Sequence, residues 1–352
     1  MQGDDSEPIF IDDEENANWL HRYGKESGLR ERDERIHHSS IELPSCHGGG
    51  TRNDKLKDTL ARAAAEWFGK RGLGTRRDLA YCLERTMPWQ SNLILPELAH
   101  PDVIDESKIH RHFRSGLSSQ AMLLNLVGPL LLEGCFAPIE AAMRAQGIEW
   151  PDGISRGKFE YEDRRVFNET PPGTPTSIDL ALLDGNEIPR IFIEAKLAEE
   201  GFGGCSRASD CPIRDTNPLD DLDACYLHKQ RGRTYWNVLT ETGFLEGELA
   251  RAPRCILADH YQFFREAAFA VRKGGTFILL CDDRNVALWG DDPSGGGGLF
   301  ARLRGLLPEA LRERAAAVSV QQIVAAIRET CRHDWIEEFV SKYGLRLLAG
   351  VD

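Results

Sequence analysis

Ser177-Ile178-Asp179-Leu180-Ala181-Leu182-Leu183-Asp184-Gly185, followed after a short polar stretch by Ile191-Phe192-Ile193-Glu194-Ala195-Lys196-Leu197, is the part of the chain that decides its fold. Both are short apolar runs, and the Asp184-Gly185-Asn186 segment between them is turn chemistry, so the pair predicts neighbouring strands of a meander. Charges interrupt both runs, and a strand buried on one or both faces does not tolerate a charge without a partner. Glu194 and Lys196 are two residues apart and leave the same face of their strand. Pairing of the two runs sets Asp179, near the start of one strand, beside Glu194, near the end of the other. Two carboxylates and an ammonium then converge on one spot.

That grouping has a chemical use. Mg²⁺ is hard and is usually held by one or two carboxylates together with substrate phosphate oxygens. It neutralises charge on a scissile phosphate and lowers the pKa of a bound water. A neighbouring lysine orients or helps deprotonate that water and adds positive potential. The same three residues also fit a strand-edge salt bridge between Glu194 and Lys196, with Asp179 in a turn.

Working outward, a third strand is predicted over 158–161, with Glu160 in it and Glu162 at its end. Residues 118–145 read as one long or Pro-kinked helix, and the all-round apolar character of 122–132 predicts that it is buried. After the strands comes a polar loop over 200–224, longer than a typical connection. Helices follow around 226–239 and 261–272, then a strand at 276–281. The run 294–298 is a flexible linker, and 300–345 reads as helical. Upstream, Leu56, Leu60, Ala64 and Phe68 repeat at helical spacing, and a loop-rich connection carries Pro88, Pro96 and Pro101. Residues 1–50 are predicted to be a largely disordered acidic arm whose apolar islands, Ile9-Phe10-Ile11 and Trp19-Leu20, are able to dock. The domain reading is therefore an arm over 1–50, a helical and loop extension over 51–117, a core over 118–290 with the Cys-containing insertion 200–224, and a linker with a helical extension over 291–352.

The spacing of Asp179, fourteen intervening residues and then Glu194-Ala195-Lys196 resembles the motif of the PD-(D/E)XK, or restriction-endonuclease-like, nuclease superfamily. The order of elements over roughly 118–282 is similar to that family's core. Ile178 stands where the motif often has proline. The resemblance implies an α/β fold: a restriction-endonuclease-like core of helix, three-strand meander, helix and further strand, with helical N- and C-terminal additions. Other segments resemble a poorly characterised bacterial branch of that superfamily: Ser118-Ser119-Gln120 with Asn125, Arg233-Thr234-Tyr235-Trp236, and Tyr261-Gln262-Phe263-Phe264-Arg265. It implies Asp179 and Glu194 as Mg²⁺ or Mn²⁺ ligands and Lys196 as the water-orienting residue. Gln262 and Arg265 become candidates for positioning water or phosphate, with Gln120 as a further substrate contact. Glu133 or Glu140 is a candidate accessory metal ligand, and Glu160 and Glu162 compete for that role. For Gln120 and Asn125 the alternative is satisfaction of backbone groups at a buried helix start. For Glu133 and Glu140 it is a solvated face.

Cys205, Cys211 and Cys225 fall within 21 residues, with His228 three further on and Cys255 beyond. Thiolates and imidazole suit Zn²⁺ or an iron–sulfur cluster, and a metal would staple a long polar loop. The spacing is not a CxxC knuckle, and the four-cysteine pattern of the superfamily's cluster-bearing nucleases is not visible. The alternative is separate free thiols, since Cys is often a small buried hydrophobe.

Composition sets the outer bounds. At 352 residues the chain can bury a sizeable core, and no stretch approaches the 18 or so uninterrupted apolar residues of a membrane span. With no signal-like start and an odd count of nine cysteines, the expectation is a cytoplasmic protein with reduced thiols. The net charge of −13 argues against a nucleic-acid partner only at first sight, because residues 1–50 carry 12 acids against 5 bases. The leading expectation is a Mg²⁺-dependent nuclease acting on DNA, in restriction, defence or repair, with a homodimer as the form in which many related enzymes act. Its rivals are a non-catalytic nucleic-acid- or protein-binding module that keeps the fold, and a cysteine-metal sensing protein. No P-loop or GxGxxG cradle points elsewhere.

Overall fold

The quoted runs form the centre of a mixed sheet. In the structure, a computed structural model that describes residues 53–171, 173–290, 297–330 and 333–345, β1 (Ile154–Glu162), β2 (Ser177–Asp184) and β3 (Pro189–Lys196) make an antiparallel meander. β4 (Thr276–Cys281) and β5 (Ala315–Ser319) extend it in parallel, in the order β1-β2-β3-β4-β5. Leu180 stands opposite Ile193 and Leu182 opposite Ile191, while Phe159 faces Leu180 from β1. The predicted arm over 1–50 and most of the predicted linker lie outside the described residues.

Three helices precede the sheet: α1 (Asp54–Lys70), α2 (Ser119–Leu132) and α3 (Ala137–Ala145). Between β3 and β4 come α4 (Tyr226–Lys229), α5 (Tyr235–Glu241) and α6 (Ile256–Arg272). α7 (Leu299–Gly305) and α8 (Glu309–Arg312) lead to β5, and α9 (Val320–Thr330) and α10 (Asp334–Lys342) close the described chain.

The pleat divides the sheet's apolar side chains between two cores. Leu180, Leu182, Ile191, Ile193 and Ile278 join a layer with α1, α2, α3, α9 and α10. Ala181, Leu183, Phe192, Phe277 and Leu279 join the layer of α5, α6 and α7. Both faces of β3 and β4 are therefore buried, which explains why these strands read as near-continuous apolar runs. Each large side chain so buried contributes roughly 1.5–3 kcal/mol. α2 lies against β3 on one side and α10 on another, so its whole circumference is apolar.

The sequence pattern predicts one long or kinked helix over 118–145, and the structure parts it into α2 and α3 near Gly134, whose φ of +66° suits glycine. Likewise 226–239 is two helices, α4 and α5, separated by Gly232 at φ +62°. A larger departure is β5: the alanines at 315–317 favour helix locally, but pairing with β4 decides the outcome. Among the described residues no helix is long and apolar enough to cross a membrane.

Candidate active site

Extending the β2–β3 register by one residue beyond Leu180↔Ile193 sets Asp179 opposite Glu194. The β1–β2 register likewise sets Glu160 opposite Asp179. Opposed residues of antiparallel strands share a face, so three carboxylates form a row across the meander. At Glu160 the backbone takes a φ of +50°, costly for a non-glycine residue by about 1–3 kcal/mol. Its carboxylate accepts hydrogen bonds from the Ser177 hydroxyl at 2.7 Å and from the Gln120 side-chain amide. Gln120 is itself fixed by the backbone, accepting from His110 N–H at 2.8 Å and donating to Lys108 O at 2.9 Å.

Lys196 reaches back along its own strand, with Nζ 2.8 Å from Glu194 Oε1. It also donates to Gln262 Oε1 at 2.8 Å, and Gln262 Nε2 donates to Glu194 Oε1 at 2.5 Å, so the three side chains close a ring. The Ala195 N–H, between the two charged residues, donates to Asp179 Oδ2 at 2.8 Å. Glu194 is 2 % and Lys196 7 % exposed, whereas Asp179, Glu160 and Gln262 keep part of their surface open to solvent. The row is thus reachable from one side.

α6 supplies a further acid that the sequence reading missed. Glu266 follows Gln262 by four residues, the spacing that puts two helical side chains on one face, and this was the signal available. It is fully buried against Glu194 and lies 3.6 Å from the Arg265 guanidinium. Neither of its carboxylate oxygens, nor Glu194 Oε2, accepts a hydrogen bond from another residue's fixed donor, and a proton on Glu266 bridges it to Glu194. Carboxylate oxygens crowded into one buried spot are costly unless a shared proton or a cation joins them.

The electrostatics follow from this crowding. Burial, then the charges of Glu194 and Glu160, push the Asp179 carboxyl well above the usual aspartate value. Glu266 is raised in the same direction by burial and then by Glu194. Glu160 is raised too, chiefly by burial, with Ser177 and Gln120 pulling the other way. Burial opposes charge on Lys196, yet Glu194, Glu199, Asp179 and Glu266 together outweigh it, and its ammonium holds its proton more tightly than an ordinary lysine.

Neighbouring segments hold these groups in place. The helix is broken at His260 (φ −129°, ψ 38°), and the amides of Tyr261 and Gln262 bond instead to the carbonyls of Gly203 and Phe202, at 2.9 and 3.1 Å. The start of β2 is anchored by buried Glu169, which accepts from Thr176 N–H at 2.7 Å and from Thr176 Oγ1 and Tyr235 OH at 2.8 Å each. Arg233 clasps the preceding loop through the carbonyls of Asn168 and Thr170. Glu199, also missed, caps β3 by accepting from the amides of Leu197 and Ala198 and ties it to α2 through Ser119.

The remaining candidates have other partners. Arg265 stacks over the Tyr261 ring at 4.6 Å as well as facing Glu266. Glu133 is exposed at the end of α2 and pairs with His333 at 3.4 Å, Glu140 pairs with Arg144 at 2.7 Å, and Glu162 pairs with Lys108. Asn125 serves the backbone, accepting from Ile94 N–H and donating to Asn92 O and Tyr343 OH. Cys205, Cys211, Cys225 and His228 line a separate cavity together with Cys255.

Among the described residues no three His, Cys, Asp or Glu side chains are gathered tightly enough to hold a metal ion by themselves. Mg²⁺ does not require this, since it keeps waters and takes one or two carboxylates plus substrate phosphate. The crowded carboxylates of Glu194 and Glu266, beside Asp179, have the chemistry such an ion needs.

A family model described as restriction endonuclease associating with ARP matches residues 61–344. No curated protein and no solved structure matches the chain.

Proposed function

The chain belongs to the family of restriction endonucleases associating with ARP, and from that premise we propose that it is a Mg²⁺-dependent nuclease hydrolysing phosphodiester bonds in DNA. The observation that carries this reading is the crowding of the buried carboxylates of Glu194 and Glu266 beside Asp179, which raises Asp179 and Glu266 together. Asp179 and Glu194 are the residues that would hold the ion, with Glu266 and Glu160 flanking them. A divalent ion held there supplies charge neutralisation at the scissile phosphate and acidifies water.

The chain's own groups divide the rest of the work. Lys196, protonated through its carboxylate neighbours, acts as a charged donor toward a phosphate oxygen or the attacking water rather than as a base. Gln262 holds both Lys196 and Glu194 and fixes where the ammonium points. Glu266 holds a proton more tightly than an ordinary glutamate and is placed to take one up near Glu194. Arg265, on the same helix, is a candidate phosphate contact. Cutting both strands of a duplex calls for two such sites, and a second copy of the chain would supply the other.

The test is direct. Purified protein should cut DNA with Mg²⁺ or Mn²⁺ and not in EDTA. Asp179→Asn and Lys196→Met should each lower the rate by about 10²-fold or more while circular dichroism stays unchanged. Undiminished cleavage by both variants would remove the proposal, and parallel assays on RNA decide the substrate.

A further inference from the structure

One cavity outside the carboxylate row gathers side chains of a single soft-ligand chemistry. Cys205, Cys211, Cys225 and Cys255 all line it. His228 lines it as well, and its buried Nδ1 has no hydrogen-bond partner. None of the described cysteines is in a disulfide. Burial first, with Cys205, Cys225 and Cys211 adding to it, pushes the Cys255 thiol up to about 12. The sequence separates Cys255 from the other three by α4, α5 and the loop after them, and only the fold unites them.

The backbone presents these residues from fixed positions. Cys225 and Cys255 are the residues that open α4 and α6. The Cys205 amide bonds to the carbonyls of Leu257 and Ala258 at 3.1 Å each, and the Cys255 amide bonds to Arg214 O at 3.1 Å. At Gly204 an added Cβ would lie 2.4 Å from Ala258 O, so the loop approaches the start of α6 as closely as a backbone can. A loop of 3-10 turns with little core of its own is thus laid against a helix end, with four thiols between them.

We propose that Cys205, Cys211, Cys225 and Cys255 ligate a [4Fe–4S] cluster that fastens the 200–225 loop to the beginning of α6. A single Zn²⁺ needs its sulfurs about 2.3 Å from one point, and no group of three or more ligands is gathered so tightly among the described residues. Four thiols that line one cavity without converging on a single point suit a cubane instead, which takes one cysteine at each iron. Iron and sulfide are supplied by cluster assembly, and each thiol gives up its proton on ligation. This site stands independently of the nuclease reading, but it bears on it, because α6 carries Gln262 and Glu266.

The full chain, purified without oxygen and reconstituted with equal amounts of ferrous and ferric iron and with sulfide, should be brown. It should bind about four irons and four sulfides per chain, and its visible absorbance should bleach on reduction. Cys211→Ala and Cys255→Ala should each drop iron below about one per chain, while Cys82→Ala and Cys135→Ala keep the full complement. Should a cavity variant fail to fold, the iron, sulfide and spin-resonance measurements on the unaltered chain still decide the matter. A colourless protein with one zinc, a two-iron stoichiometry, or no bound metal after reconstitution would each overturn the proposal.

Discussion

Replacing Lys196 by methionine tests the electrostatic logic of the row without relying on catalysis. The ammonium is nearly buried and pairs with Glu194 at 2.8 Å, close to Asp179 and Glu266. Methionine keeps much of the stem's packing but removes the countercharge, and breaking a buried pair in this way costs about 3–5 kcal/mol. For a chain of this size each kcal/mol moves the melting temperature by roughly 2–4 °C, so Lys196→Met should melt about 6–20 °C lower in EDTA. Two further arms make the result specific. Adding Mg²⁺ should restore most of the loss, because a cation at Asp179 and Glu194 replaces the missing charge. Combining Lys196→Met with Glu194→Gln should also recover stability, since the charge left behind is then gone. An equal loss with and without Mg²⁺, together with simple additivity in the double variant, would refute the coupling of these side chains through charge.

Two other outcomes are expected. Asp179 has a folded-state pKa raised above 3.8, so its contribution to stability is full below that value and is lost as pH rises through the raised pKa. In EDTA the melting temperature of the native chain should therefore fall with rising pH above the acid range, and Asp179→Asn should flatten that slope; a slope unchanged by the substitution would contradict the crowding argument. At Gly116 an added Cβ would lie 2.2 Å from the Ala64 Cβ, so Gly116→Ala should destabilise by about 1–3 kcal/mol in urea melts. Ala64→Gly should rescue it.

The legible parts of the fold were those in which one strand or helix carries its own evidence. The runs at 177–183, 190–197 and 276–281 correspond closely to β2, β3 and β4 because burial on both faces makes them apolar throughout. Lys196 and Glu194 could be placed together because a strand's period of two is local. Gln262 could be named, but its contact with Lys196 depends on how α6 docks, which no local pattern encodes. Glu266 was overlooked because a lone glutamate on an amphipathic helix resembles any solvent-facing charge until the helix is rotated into place. β5 escaped because alanine carries almost no strand signal and its pairing is with a segment more than thirty residues away. Glu160 entered only as one competing acid among several, and its place in the row depends on the register of β1 against β2, which no local pattern encodes.

The break in α6 at His260 has a consequence for how the candidate site can vary. Glu194 and Lys196 are spaced by the repeat of a strand held between β2 and β4, so their separation is fixed by covalent geometry and two ladders of backbone bonds. Gln262 and Glu266 ride a helix whose restart is bonded to the carbonyls of Phe202 and Gly203. The gap between strand pair and helix pair is therefore the adjustable dimension of the constellation, and whatever shifts the loop at 202–203 retunes it while leaving the acid–lysine spacing untouched.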